Sequence, residues 1–334
     1  MLIDSNLGGE FETVKASAAA SEAAGYAGLW TGETQHDPFL QLVQAAEATE
    51  RVTLGTSIAI AFGRTPMTLA NTAFDLARYS HGRFVLGLGS QVKPHIERRF
   101  SMPWSHPAAR MREFVAALRA IWASWQDGEK LDFRGDFYTH TLMTPFFSPP
   151  AHEWGPPPVY LAGVGKLMTE AAGEACDGFF FHAFTTPAYL REVTLPALAR
   201  GRAKSGQSLD GFAIAGPAFT CVGRTEEELR DAIRGAKEQI AFYASTPAYR
   251  GVLEHHGWGD LQPELTRMSK EGKWKEMGDL VDDDVVRTFA AVGDVPTVAR
   301  QLRERWTAAT RLSFYMPYRA DTALRHELLT ALRD

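Results

Sequence analysis

Short apolar runs alternate with amphipathic stretches along nearly the whole chain. That alternation predicts a parallel α/β fold, because each buried strand must return through a helix. Strands are expected at 2–4, 28–31, 52–62, 83–88, 159–162, 178–181, 212–222 and 311–316. Helices are expected at 12–24, closed by Gly25, and from Pro38 to about 50, with Asp37 as N-cap. Further helical patterns cover 65–79, 108–125, 166–176, 187–204, 295–307 and 321–332, and Thr225 with Glu228 opens another. The run VTLGTSIAIAF (52–62) is almost wholly apolar, as a strand buried on both faces requires. Two excursions break the alternation. One is the aromatic, turn-rich stretch 131–158, expected to form a hairpin and loop; the other, 247–284, reads as short helices. Eight strands alternating with helices close most simply as a (β/α)8 TIM barrel with insertions after strands four and seven, one domain over 1–334.

A doubly wound open sheet is the rival, and SHGRFVLGLGSQ (80–91) tests it. A dinucleotide fingerprint needs a third glycine three residues after Gly89, but Val92 stands there. Lys93-Pro94 should also interrupt any immediate helix start. The glycines at this strand exit therefore need another explanation.

Composition narrows the class. The chain has 334 residues, 45% hydrophobic and 22% charged, which is ordinary for a globular protein with a large core. A net charge of −5 gives no overall basic footprint for nucleic acid or an anionic membrane. No stretch reaches about 18 consecutive apolar residues, so no membrane span is expected. The N-terminus MLIDSNLGGEFE lacks the basic flank and apolar run of a signal peptide, and a cytoplasmic location is expected. Cys176 and Cys221 fit no metal or disulfide spacing and read as buried small hydrophobes.

In a barrel the chemistry sits at the C-terminal strand ends. The fifth exit, VYLAGVGKLMTEAA, runs strand, Gly-x-Gly turn, helix start. Free backbone N–H groups there bind anions, and Lys166 adds a positive charge. An ordinary tight turn is the alternative. The fourth exit is followed by Lys93, His95, Arg98 and Arg99, suited to an anionic tail or simply to a solvated helix face. Glu33 and His36 are the acid/base candidates after the second strand, set against an ion pair and a polar helix start respectively. His255-His256 lacks a ligand spacing, so no metal is expected, and Asp282-Asp283-Asp284 reads as a helix N-terminus. Only Glu33 is an evident carboxylate at a strand end, which disfavours a glycosidase with its opposed pair.

Several segments together resemble the bacterial luciferase-like superfamily, and within it the oxidoreductases that use the deazaflavin coenzyme F-420. They are GYAGLWTGETQHDPFLQL (25–42), VTLGTSIAIAFGRTP (52–66), SHGRFVLGLGSQVKPHIERRF (80–100), PPVYLAGVG (157–165), STPAYRGVLEHHGW (245–258) and FAAVGDVPTVARQL (289–302). The resemblance implies a luciferase-like barrel. It makes Gly89, Ser90, Gln91 and His95 cofactor contacts at strand four. It assigns the phosphate to Ala162, Gly163, Val164, Gly165 and Lys166. It also implies a bulge in strand three, often with a non-prolyl cis peptide behind the ring, here at Ser57-Ile58 with Ile60 nearby. The sequence departs from the family after strand two: Glu33 matches the acid, but Thr34 takes the usual histidine place and His36 comes two residues late. The reaction so implied is hydride transfer between F-420 and a small organic substrate, with Glu33 or His36 moving a proton. The alternatives are a reduced-FMN monooxygenase and a non-catalytic cofactor-binding protein. The resemblance also suggests a homodimer.

Overall fold

The computed structural model describes residues 1–333. Eight parallel strands form a closed barrel: β1 (Leu2–Asn6), β2 (Gly28–Thr31), β3 (Thr53–Thr56), β4 (Phe84–Gly89), β5 (Val159–Ala162), β6 (Gly178–Phe180), β7 (Ala213–Val222) and β8 (Arg311–Tyr315). They pair in chain order, and the ring is completed between β8 and β1. Register is set by pairs such as Leu29 with Leu54, Leu54 with Phe84, and Tyr160 with Gly178. The expected (β/α)8 architecture is therefore present, with both excursions in their expected places.

Three local expectations change. The run 52–62 is not one strand: β3 ends at Thr56, the Ser57–Ile58 peptide is cis, and Ala59–Ile60 resumes the pairing against β4. A helix does start soon after β4, at Lys93–Arg98. Pro94 does not block it, because a proline in the first turn lacks an N–H that would have had no partner there. A short extra strand, Ala291–Gly293, pairs with the end of β7; three small residues carry too little period to be read as a strand.

The chain divides into two compact units. The larger holds Asp4–Phe180 and Ala197–Ala213. Its strand interior is filled by Trp30, whose ring meets Phe180 edge-on at 5.1 Å and Tyr160 at 6.2 Å. The Trp30 indole N–H donates to the buried Asp4 carboxylate at 2.8 Å, so a polar group inside the barrel is satisfied. Outside, helices α1 (Val14–Ala24), α2 (Pro38–Ala48), α3 (Pro66–Tyr79), α4 (Pro107–Gln126) and α5 (Lys166–Ala175) return the chain. Asp37 caps α2 by accepting from Phe39 N–H, and Thr65 caps α3. Lone acceptors also organise loops: the Glu22 carboxylate, on α1, collects the amides of Glu50, Arg51 and Val52 at 2.7–3.2 Å and so orders the entry to β3.

That contact has a pH consequence. Burial raises the Glu22 pKa, but the three backbone N–H donors and Arg51 outweigh it, and the net shift is downward. A depressed carboxylate contributes stability above its unfolded pKa and loses it as pH falls through the folded one. Glu22→Gln is expected to cost about 1.5 kcal/mol at pH 7, the scale of a charge-assisted hydrogen bond, with the gap to wild type closing below pH 4. Urea unfolding at pH 7 and pH 3 checks this; a gap of the same size at both pH values refutes it.

The smaller unit comprises Met1–Ile3, Phe181–Pro196 and Ile214–Asp334. Its core forms where Ala232, Ala236 and Ile240 of α6 (Glu226–Ala244) cluster with Leu265 and Met277 of the second excursion and with Phe289 just after it. Asp282 caps the helix Asp283–Phe289 by accepting from Val285 N–H, as the acidic run predicted. Cys176, in the larger unit, and Cys221, in the smaller, are buried, and burial pushes both thiols up to about 12, which leaves them inert. Among the described residues no helix is long and apolar enough to cross a membrane.

Candidate functional site

The C-terminal ends of β2, β3, β4 and β5 carry most of the residues singled out from sequence, all within the larger unit. The glycines at these ends have a specific task. A Cβ on Gly87 would run into the Thr56 carbonyl, one on Gly89 would come within 2.7 Å of Ile58 Cδ1, and one on Gly32 within 3.2 Å of the Ser57 carbonyl oxygen. The glycines at the fourth exit thus let the β3 break fold in against β4, which supplies the explanation missing from the sequence. Thr56 pins the join: its hydroxyl donates to Gly87 C=O at 2.6 Å and accepts from Gly87 N–H at 2.9 Å.

Glu33 completes this arrangement. Its backbone N–H donates to Ile58 C=O at 3.0 Å. Its carboxylate accepts from Ile60 N–H at 2.8 Å and from the Arg64 guanidinium at 2.5 Å, and Arg64 also reaches Asp37 at 3.1 Å. The Glu33 and Arg64 side chains are only 8% and 18% exposed, so the pair is poorly screened by water. Arg64 was not singled out in the sequence; its position seven residues after the break, beside a lone acid on the neighbouring strand, was the available signal.

His36 goes elsewhere. Its ring packs edge-on against Phe11 at 5.1 Å, and Nε2 lies 4.0 Å from a Glu10 carboxylate oxygen in the loop after β1. Glu33 and His36 are therefore not brought together. Ser57 is exposed at the break and Ile58 half-buried, whereas Ile60 is fully buried and supports the break from behind. Ser90 and Gln91 follow β4 half-buried, with Gln91 in the left-handed region at φ 59°, and His95 is exposed on the short helix. Of the basic cluster, Lys93 pairs with Glu97 at 3.7 Å and Arg99 donates to Thr34 C=O at 3.0 Å, while Arg98 has no ion pair among the described residues.

After β5, Ala162 and Gly163 are half-buried, and Val164, Gly165 and Lys166 are exposed. Gly163 sits against the Met168 side chain. Gly165 has φ 79° and open space where a Cβ would be, and no side chain caps the helix it begins. The first amides of α5 are thus left without a side-chain cap, and the exposed Lys166 opens the helix, an arrangement that suits a phosphate.

A pocket of about 920 Å³ lies elsewhere, on the outer helices, lined by Val43, Leu76, Tyr79, His152 and Trp154 among others. It borders His81, before β4, and none of the candidate residues lines it. Among the described residues no group of three or more His, Cys, Asp or Glu side chains could hold a metal ion.

In the smaller unit, sequence reasoning passed over one group. His182, two residues past β6, stacks on Tyr249 and meets the edge of Tyr243, whose hydroxyl bonds that of Tyr315 at the end of β8. The one signal was a histidine inside the apolar run GFFFHAF at a strand exit.

The chain belongs to the luciferase-like monooxygenase family, which matches residues 3–311. An uncharacterized protein of Mycobacterium tuberculosis is 52% identical over 303 residues, covering 91% of this chain and 89% of that one. An F-420-dependent glucose-6-phosphate dehydrogenase of Nocardia farcinica is 31% identical over 190 residues, covering 55% and 54%. Among solved structures, the coenzyme F-420-dependent tetrahydromethanopterin reductase of Methanopyrus kandleri superposes with a TM-score of 0.78 at 21% identity, covering 98% of this chain and 96% of that one. The family is described as luciferase-like monooxygenases, and the relatives just named that carry an activity in their names are F-420-dependent oxidoreductases.

Proposed function

We propose that the protein is a coenzyme F-420-dependent oxidoreductase acting on a small organic substrate. The observation that carries a phosphate-bearing cofactor is the uncapped start of α5 behind Gly163-Val164-Gly165, with Lys166 as its first residue. When bound, the deazaflavin supplies a hydride donor or acceptor. Ala162 to Lys166 would hold its phosphate. Ser57, Ile58 and Gly89 would back its ring, and Ile60 would steady that backing. Ser90, Gln91, His95 and Arg98 would meet the acidic tail. Glu33 is here a positioning residue, committed to Ile60 and Arg64, which leaves His36 as the proton-transfer candidate of the two. The sequence kinship to F-420-dependent dehydrogenases supports the deazaflavin.

A reduced-FMN monooxygenase is the second reading, because the same turn would accept the FMN phosphate and the family is named for monooxygenases. Titrating the protein with F-420 and, separately, FMN decides between them. Saturable F-420 binding, weakened about five-fold by Lys166→Ala, is expected from the loss of one charged contact to a phosphate at an exposed site. Saturation by FMN with none by F-420, together with dioxygen uptake, would overturn the proposal.

A further inference from the structure

His182 lies just beyond the C-terminal end of β6, on the catalytic side of a barrel strand. Its Nδ1 accepts from Phe184 N–H at 3.0 Å. Burial lowers its pKa to about 4, so the ring is neutral at physiological pH. With Nδ1 occupied as an acceptor, the single ring proton sits on Nε2. Nε2 has no hydrogen-bond partner among the described residues. The ring cannot swing away from this direction, because Tyr249 stacks on it at 4.7 Å and 17° and Tyr243 meets it edge-on at 4.7 Å.

The surroundings repeat the same chemistry. The Tyr243 and Tyr315 hydroxyls lie 2.7 Å apart; one donates to the other, and the second proton of the pair is spare. Burial raises the pKa of Tyr249, so its hydroxyl stays protonated. None of these four rings makes an ion pair or a cation–π contact among the described residues, and the shifts of His182 and Tyr249 come from burial alone. The group therefore offers neutral N–H and O–H donors in an aromatic, half-buried setting, with no cation to offset an anion's lost hydration.

We propose that His182, Tyr243, Tyr249 and Tyr315 form a substrate subsite that takes a neutral carbonyl compound with an apolar or aromatic body. Resting on the oxidoreductase reading above, this gives the substrate class. The carbonyl oxygen would accept from His182 Nε2–H while the rings enclose the body of the molecule. The imidazole donates a hydrogen bond and releases no proton. A phosphorylated or carboxylated substrate is disfavoured here, in contrast to what a sugar-phosphate dehydrogenase requires.

Calorimetric titration with acetophenone and with 4-acetylbenzoate, which differ by one carboxylate on the same ring, tests the assignment. Acetophenone is expected to bind saturably and at least ten-fold more tightly than 4-acetylbenzoate. His182→Phe should weaken acetophenone five-fold or more, while His182→Gln, which keeps an N–H donor, should retain most of the affinity. Tyr249→Phe removes a hydroxyl alone and carries the test should the His182 variants melt early; a two-fold or greater loss is expected. Absent binding of acetophenone, equal affinity for the two ligands, or wild-type affinity in both His182→Phe and Tyr249→Phe would overturn the subsite. F-420 is titrated in parallel. Failure of F-420 to bind, with acetophenone behaving as stated, would remove the cofactor reading and leave the subsite standing.

Discussion

Glu33→Ala is expected to destabilise the protein by about 2–3 kcal/mol and to abolish measurable F-420 binding. Removing this carboxylate strands the Arg64 guanidinium and the Ile60 N–H, both turned inward at the β3 break. Breaking a buried ion pair by deleting one partner typically costs about 3–5 kcal/mol; the lower figure here allows for the residual exposure of Arg64. Binding fails because the break behind the proposed ring site loses its anchor. Asp37→Ala is the control. It removes the other, more exposed partner of Arg64 and should cost no more than about 0.5 kcal/mol for the ion pair, plus about 1 kcal/mol for the α2 cap. Glu33→Gln separates anchoring from proton transfer. A proton carrier would keep its stability and cofactor affinity as glutamine and lose turnover alone, whereas an anchor loses part of all three. Denaturant unfolding and cofactor titration measure these, and an alanine variant with wild-type stability and F-420 affinity would refute the role.

Gly87→Ala is expected to cost about 3 kcal/mol or more and to remove cofactor binding with it. The added methyl would coincide with the Thr56 carbonyl and stand 2.7 Å from Phe180 Cε2. Backbone cannot step aside as a side chain can, so overpacking of this kind costs about 1–3 kcal/mol before the two Thr56 hydroxyl bonds are counted. Gly87 does not have positive φ; space alone requires glycine there. Gly128→Ala provides the contrast. That residue sits at φ 74° with nothing near its would-be Cβ, and its substitution should cost about 1 kcal/mol through backbone conformation. Comparable small losses at both positions, by thermal or urea unfolding, would show that the β4 glycines do not serve the break.

Much of the fold was legible because its causes are local. Gly28 to Thr31 and Val159 to Ala162 emerged with their observed bounds, since each is an apolar run closed by glycine. Asp37, Thr225 and Asp282 announced helix starts because a cap acts over two or three residues. The count of eight strands then left few ways to close a sheet. The break at Ser57-Ile58 was invisible to periodicity, because the residues around it are as apolar as a continuous strand; only family resemblance pointed to it. Its anchor joins Glu33 to Arg64 across 31 positions, and its room comes from glycines on two neighbouring strands. His182 was hidden likewise, since its partners Tyr243 and Tyr249 lie 61 and 67 positions further along. The sequence by itself therefore determined the barrel, its helix ends and the exposed Gly-x-Gly turn, all of which follow from short-range patterns. Only the tertiary structure decided that Glu33 is committed to an ion pair, that His36 turns away from it, and that His182 is held between Tyr249 and Tyr243, because each outcome depends on which distant side chain occupies the adjoining space.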